Sequence, residues 1–276
     1  MIIGNSSVYC GILKTFNKFT GADMSCEYIT DDDFCDYLVE KYNLDRISGS
    51  GDDFSKSLNV MKWLFSILRH DPDYHNNSND NADNLLEHLN NGGSINCRAT
   101  AVILTECLLA LGIPARTVWL MPMNPYDEDC HVISMAYCKE MGKWVTFDAT
   151  VNSIVMDEKG HPLDPIEIRT VLENMGTLKF SNELLYYRVK CSHEAQCKGY
   201  YSYLAKNMFY FKSYKINCFK YESIAYNIIF CIPDGFDYDN QNHIIQSVCA
   251  NEIDVSKAVE KYTLKSFCEP IQTMSD

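Results

Sequence analysis

The sequence predicts an α+β fold in which helices pack on a mainly antiparallel sheet. Three observations carry that reading. Phe54, Leu58, Met61, Phe65 and Leu68 recur at spacings of four and three, the period of an amphipathic helix over about 53–69. Residues 97–111 are apolar nearly all round, which suits a helix in the middle of a core. Three runs rich in β-branched and aromatic residues then follow: Ala115–Met121, His131–Cys138 and Trp144–Asp148. A helix-rich front and a sheet-rich back share one core.

Taken in order, residues 31–39 form a short capped helix, and Ile47 to Asp52 is a linker with helix-capping residues at its end. The helix over 53–69 stops before Asp71-Pro72. The Asn-rich stretch from Tyr74 to Asp80 is a loop, and Ala82 to Leu89 is a helix closed by Asn91-Gly92-Gly93. Gly112 stops the apolar helix, and Ile113-Pro114 keeps the chain extended into the first strand. Helices are expected over 165–175, with Pro165 in the first turn, and over 183–208. Strands are expected near 210–219, 225–232, 243–249 and 262–268, with a Pro233-Asp234-Gly235 turn between two of them.

Composition narrows the function classes. The net charge of −13 argues against nucleic acid and anionic membrane as partners. The charge is uneven: the charged side chains of residues 24–87 are mostly acidic, while those of 186–220 are mostly basic and read as a solvated face. The start of the sequence lacks the basic flank of a signal peptide, and no run approaches a membrane span. Thirteen cysteines are scattered, several within apolar runs, so a reducing cytoplasmic setting is the expectation. Cys191-Ser192-His193 with Cys197 has zinc-ligand types but lacks a second cluster, so neither metal nor cofactor is expected.

The chemistry-bearing residues are Cys97, His131 and Asp148. With Asn96 as cap, Cys97 lies in the first turn of its helix, where unpaired N–H groups and the positive dipole end favour a thiolate and face a developing oxyanion. A hairpin through Lys139-Glu140-Met141-Gly142 sets Cys138 opposite Lys143 and Ile133 opposite Asp148. His131 is two residues from Ile133 and shares that face. Imidazole and carboxylate then come within reach of one another. A nucleophile, a base and an orienter are what thiol acyl transfer needs.

Four blocks strengthen this: Asn96-Cys97-Arg98-Ala99, Leu111 to Arg116, Asp129-Cys130-His131-Val132 and Gly142 to Thr150. Together they resemble the transglutaminase-like superfamily over roughly residues 53–175. The resemblance implies a papain-like core and a Cys-His-Asp triad, with Cys97 as nucleophile, His131 as base and Asp148 as orienter. The chain is expected to divide into an extension, 1–52, helical or irregular, and a transglutaminase-like domain, 53–276; residues 176–276 lie beyond the resemblance, and the polar and apolar alternation over 210–268 is what points to their completing the sheet. Arg116 is placed for a salt bridge behind the site, and Trp144 for covering the His–Asp pair. Some relatives use an upstream aromatic or amide side chain at the oxyanion. No Gln lies just before Cys97, and Trp63 falls on a helix where core packing explains it.

The function expected is therefore acyl transfer from the amide bonds of a peptide or protein substrate, most simply by a cysteine peptidase or amidase. A protein-glutamine crosslinking enzyme and a non-catalytic scaffold retaining the fold are the alternatives. Whether Cys97 is accessible and close to His131 discriminates the scaffold from the enzymes.

Overall fold

A computed structural model describes residues 5–30, 32–77, 80–124, 127, 129–217, 228–238 and 260–271. The front of the chain folds into α1 (Asn5–Thr15), β1 (Glu27–Tyr28), α2 (Asp33–Tyr42), α3 (Leu44–Ser48), α4 (Asp53–Ile67), α5 (Ala82–Asn90) and α6 (Cys97–Ala110). Short polar residues start these helices. Asp32 accepts from the N–H groups of Phe34 and Cys35, Asp52 from Ser55, and Asn81 and Asn84 satisfy one another in a capping box.

Strands β2 (Ala115–Met121), β3 (His131–Cys138), β4 (Lys143–Asp148) and β5 (Ser153–Met156) follow, then α7 (Pro165–Glu173), β6 (Lys179–Phe180) and α8 (His193–Asn207). The described chain ends with β7 (Tyr210–Tyr214), β8 (Ile216–Asn217), β9 (Ile228–Cys231) and α9 (Leu264–Phe267). Among the described residues the main sheet has seven strands in the order β6-β5-β4-β3-β2-β7-β9, every neighbouring pair antiparallel. A small parallel pair, β1 with β8, stands apart.

Strand alternation gives the sheet two covered faces. Ala136, Cys138, Val145 and Phe147 point into a core built with α2, α4, α5 and α6. Ile133, Met135, Tyr137 and Trp144 point into a second core with Cys10 and Leu13 of α1, Ile168 and Leu172 of α7, and Tyr200 and Leu204 of α8. The expected hairpin register holds, running from Cys138 opposite Lys143 to Ser134 opposite Phe147.

Four expectations need correction. The helix expected over 183–208 begins only at His193, capped by Ser192. Residues 183–192 form a loop, with Arg188 at φ 52°, that packs onto α8. Gly199 permits that contact, because a Cβ there would lie 2.4 Å from the Tyr187 hydroxyl. The strand expected over 262–268 contains a short helix, since the Thr263 hydroxyl accepts from Ser266 N–H at 3.3 Å. The strand expected over 210–219 breaks into β7 and β8, of which only β7 joins the main sheet. The fourth concerns Arg116, which is buried without a carboxylate partner among the described residues. It donates to the Phe267 carbonyl and to Cys26 Sγ at 3.2 Å, between the rings of Trp144 and Phe267. Strands β5 and β6, to which the sequence reading assigns no element, extend the sheet beyond β4. The strand expected at 243–249 lies outside the described residues.

A second buried guanidinium, that of Arg169, donates to the carbonyls of Leu13, Phe16 and Met208 and to Glu173 at 2.9 Å. Among the described residues no helix is long and apolar enough to cross a membrane.

Candidate active site

One end of the sheet brings three elements together: the first turn of α6, the first residue of β3 and the last residue of β4. Asn96 makes the α6 start well defined. Its side-chain oxygen accepts from Ala99 N–H at 3.0 Å, and its amide donates to the Tyr74 carbonyl at 3.0 Å. Cys97 follows, half-buried beside Trp119, Val132 and Tyr214.

His131 and Asp148 are both buried and face the α8 side of the sheet. His131 Nε2 lies 2.5 Å from Asp148 Oδ2. That commitment leaves Nδ1 to face the thiol, and the Cys97 side chain is near enough to act on the charge of the ring. Cys97, His131 and Asp148 thus come together at one end of the sheet.

The carboxylate is fully engaged. Besides His131, Asp148 Oδ2 accepts from the Tyr200 hydroxyl at 2.6 Å, and Oδ1 accepts from Thr150 N–H at 2.9 Å. Burial alone raises a carboxyl pKa, but the charge and hydrogen bond of His131, with the other two donors, hold Asp148 below the usual carboxylate range. For His131, burial works downward, and the Asp148 charge and hydrogen bond, helped by the Cys97 thiol, overcome it and raise the pKa to about 10. The pair is therefore an imidazolium and a carboxylate at neutral pH.

Helix α8 roofs the pair. Tyr200 is fully buried and meets the His131 ring edge-on, while the Tyr203 ring lies 5.2 Å from it at 60°. Tyr203 also reaches Asp129 Oδ1 at 2.9 Å and the Cys130 carbonyl at 3.2 Å. Lys206 binds Asp127 at 3.0 Å and Asp129 at 2.7 Å, so the acidic loop before His131 is pinned to α8. Tyr203 in turn lines an open groove of about 420 Å³ with Tyr186, Tyr187, Lys198 and Lys206. Trp144, expected over the His–Asp pair, packs instead on Tyr28, Tyr137 and Arg116 and donates to the Glu269 carbonyl at 2.9 Å. Tyr200 takes that place. Trp63 packs in the helical core. Among the described residues no group of three or more His, Cys, Asp or Glu side chains is arranged to hold a metal ion.

Residues 41–149 match the model of the transglutaminase-like superfamily. That stretch, less than half of the chain, is similar to the superfamily. It holds Cys97, His131 and Asp148, whereas Tyr200, Tyr203 and the groove's lysines lie beyond it. One solved structure, of a candidate cysteine protease from Cytophaga hutchinsonii, matches with 21% identity and a TM-score of 0.33. The match covers 53% of this chain and 48% of that one, about half of each. No curated protein matches.

Tyr200 is the residue that the sequence hides. It reads there as packing surface, one of several tyrosines at 186–203. Its distinguishing signal is the hydroxyl: a fully buried tyrosine needs a hydrogen-bond partner, and a buried aspartate at a strand end needs donors.

Proposed function

We propose that the protein is a thiol acyl-transfer enzyme acting on amide bonds, with Cys97 as nucleophile, His131 as general acid and base, and Asp148 as orienter. The observation that carries this reading is the imidazole of His131, bonded to the Asp148 carboxylate at 2.5 Å and acted on by the nearby Cys97 side chain. Sulfur attacks the carbonyl carbon, and the electron pair of the C=O bond moves to oxygen. The intermediate collapses as the C–N bond breaks, and the amine leaves with the proton held by His131. Asp148 stabilises the imidazolium throughout. Water, deprotonated by His131, then releases the acid, which makes the reaction hydrolysis by a cysteine peptidase or amidase. An amine in the place of water gives crosslinking by the same steps. The substrate is a peptide or protein amide. A reducing, cytoplasmic setting agrees with the free thiols of eleven described cysteines.

Incubation of the full chain with p-nitrophenyl acetate, followed by peptide mapping, tests the reading. Acetyl should accumulate on Cys97, turn over in water, and be absent there in Cys97→Ala. Acetylation of other cysteines at the same rate, with none favouring Cys97, refutes it. A fluorescent primary amine added to the same reaction reads the acceptor: capture of the acetyl by the amine in preference to water favours the transferase.

A further inference from the structure

The acyl-transfer reading leaves one group unassigned, a side chain that meets the negative charge arising on the carbonyl oxygen. Such donors are effective when fixed in advance and poorly hydrated. The loop between α4 and α5 carries a candidate in His70.

His70 is bridged in parallel to Ile95, two residues before the nucleophile. Ile95 N–H donates to the Arg69 carbonyl at 2.9 Å, and Asp71 N–H donates to the Ile95 carbonyl at 3.0 Å. Further ties fix the loop against the α6 start: Arg69 Nε to the Gly93 carbonyl at 2.8 Å, Ser94 Oγ to Asp71 at 3.4 Å, and the Asn96 amide to Tyr74. The backbone at His70 is therefore held to the segment that leads into Cys97. Arg188, His131 and Asp148 are near enough for their charges to act on the His70 ring. The ring has no hydrogen-bond partner among the described residues.

Burial, then the positive charges of Arg188 and His131, push the His70 pKa down to about 4 against the opposing pull of Asp148. The ring is neutral at working pH, and a neutral imidazole keeps one N–H donor. A neutral donor suits this place. It stabilises an oxyanion without a second cation competing with His131 for Asp148.

We propose that His70 donates its imidazole N–H to the carbonyl oxygen of the bound acyl group as that oxygen becomes an oxyanion. The proposal rests on acyl transfer at Cys97. No proton changes hands at His70: the C–S bond forms, the C=O pair moves to oxygen, and the His70 hydrogen bond shortens around it. When the pair returns, the leaving group takes its proton from His131. Trp63, packed in the helical core, has no part in this.

The test compares two reactions of the same thiol in the full chain. Acetylation of Cys97 by p-nitrophenyl acetate passes through an oxyanion, whereas alkylation by iodoacetamide does not. His70→Phe keeps a ring and removes the donor, and His70→Ala removes the ring; whichever variant retains the wild-type thermal transition serves. Acetylation of Cys97 should slow by about 10²–10³-fold, while its alkylation rate stays within about twofold. His70→Gln, which restores an N–H, should recover a large part of the lost rate. Wild-type acetylation in the donor-less variants overturns the assignment. So does a parallel fall in alkylation, which would mean that His70 acts through the thiol. Failure of the wild-type chain itself to acetylate Cys97 refutes the acyl-transfer reading instead, so the two failures are distinguishable.

Discussion

Tyr200 donates its hydroxyl to the same Asp148 oxygen that holds His131, at 2.6 Å against 2.5 Å for the imidazole. With Thr150 N–H on the other oxygen, the carboxylate cannot rotate without losing a buried hydrogen bond. The plane of the imidazole is set accordingly, and the bond links α8 to the end of β4 across 52 residues of chain.

Tyr200→Phe should therefore act on both stability and activity. Losing one buried hydrogen bond to a charged group is worth about 1.5–3 kcal/mol, read as a lower urea midpoint with an unchanged slope. The His131 pKa, followed by NMR of the ring protons, should move, because the carboxylate loses a donor that holds its charge. An unchanged His131 titration would detach Tyr200 from the site.

Stability should depend on pH through the same pair. The His131 pKa is raised to about 10 in the folded chain, against roughly 6.5 when unfolded. Its contribution is fully present below about pH 6.5 and fades as pH climbs towards 10. Asp148 is lowered, so its contribution is present above about pH 4 and is lost as pH falls through its folded value. Urea unfolding of wild type and Asp148→Asn between pH 6 and 10 should show the two curves converging on the alkaline side. Parallel curves would contradict the ion pair.

Asp148→Asn should cut turnover by about 10³–10⁴-fold with little change in substrate binding, since an amide neither stabilises imidazolium nor imposes the same tautomer. Cys97→Ala should abolish acyl transfer and keep the thermal transition, because the side chain is small and only half-buried. Rate measurements with one ester substrate cover both variants.

Arg116→Ala should loosen the end of the described chain. The guanidinium holds the Phe267 carbonyl and stacks on its ring, and the change leaves that carbonyl unpaired beside a cavity. A loss of about 2–4 kcal/mol is expected. Limited trypsin digestion reads it directly: cleavage after the exposed Lys265 should quicken in the variant before the rest of the chain is cut.

Much of the core was legible because its signals are local. The caps at Asn96 and Asp52, the stop at Gly112 and the four-residue hairpin loop each act within a few residues. The strand register follows from the last of these. The pairing of His131 with Asp148 was legible for the same reason, as both sit on one hairpin. What escaped depends on distance in sequence. Tyr200 becomes part of the site only through a contact across 52 residues, and Arg116 chooses a carbonyl 151 residues away over any carboxylate. The loop at 183–192 has helix-compatible residues, but packing of Tyr186 and Tyr187 on Gly199 decides its conformation. Strand β5 is only four residues long, too short for alternation to register.

The groups proposed to react and the wall beside them come from separate stretches of the chain. Cys97, His131 and Asp148 all lie within residues 41–149, while Tyr200, Tyr203, Tyr186, Tyr187 and Lys198 follow it. Such a division lets selectivity drift independently of reactivity. Substitutions on the exposed side of α8 and in the loop at 183–192 can reshape or recharge the approach to the imidazole while the thiol and its partners keep their geometry. Two proteins sharing the core could thus accept quite different acyl donors, and directed evolution of this one would begin at Tyr187 and Lys198, leaving Tyr200 alone.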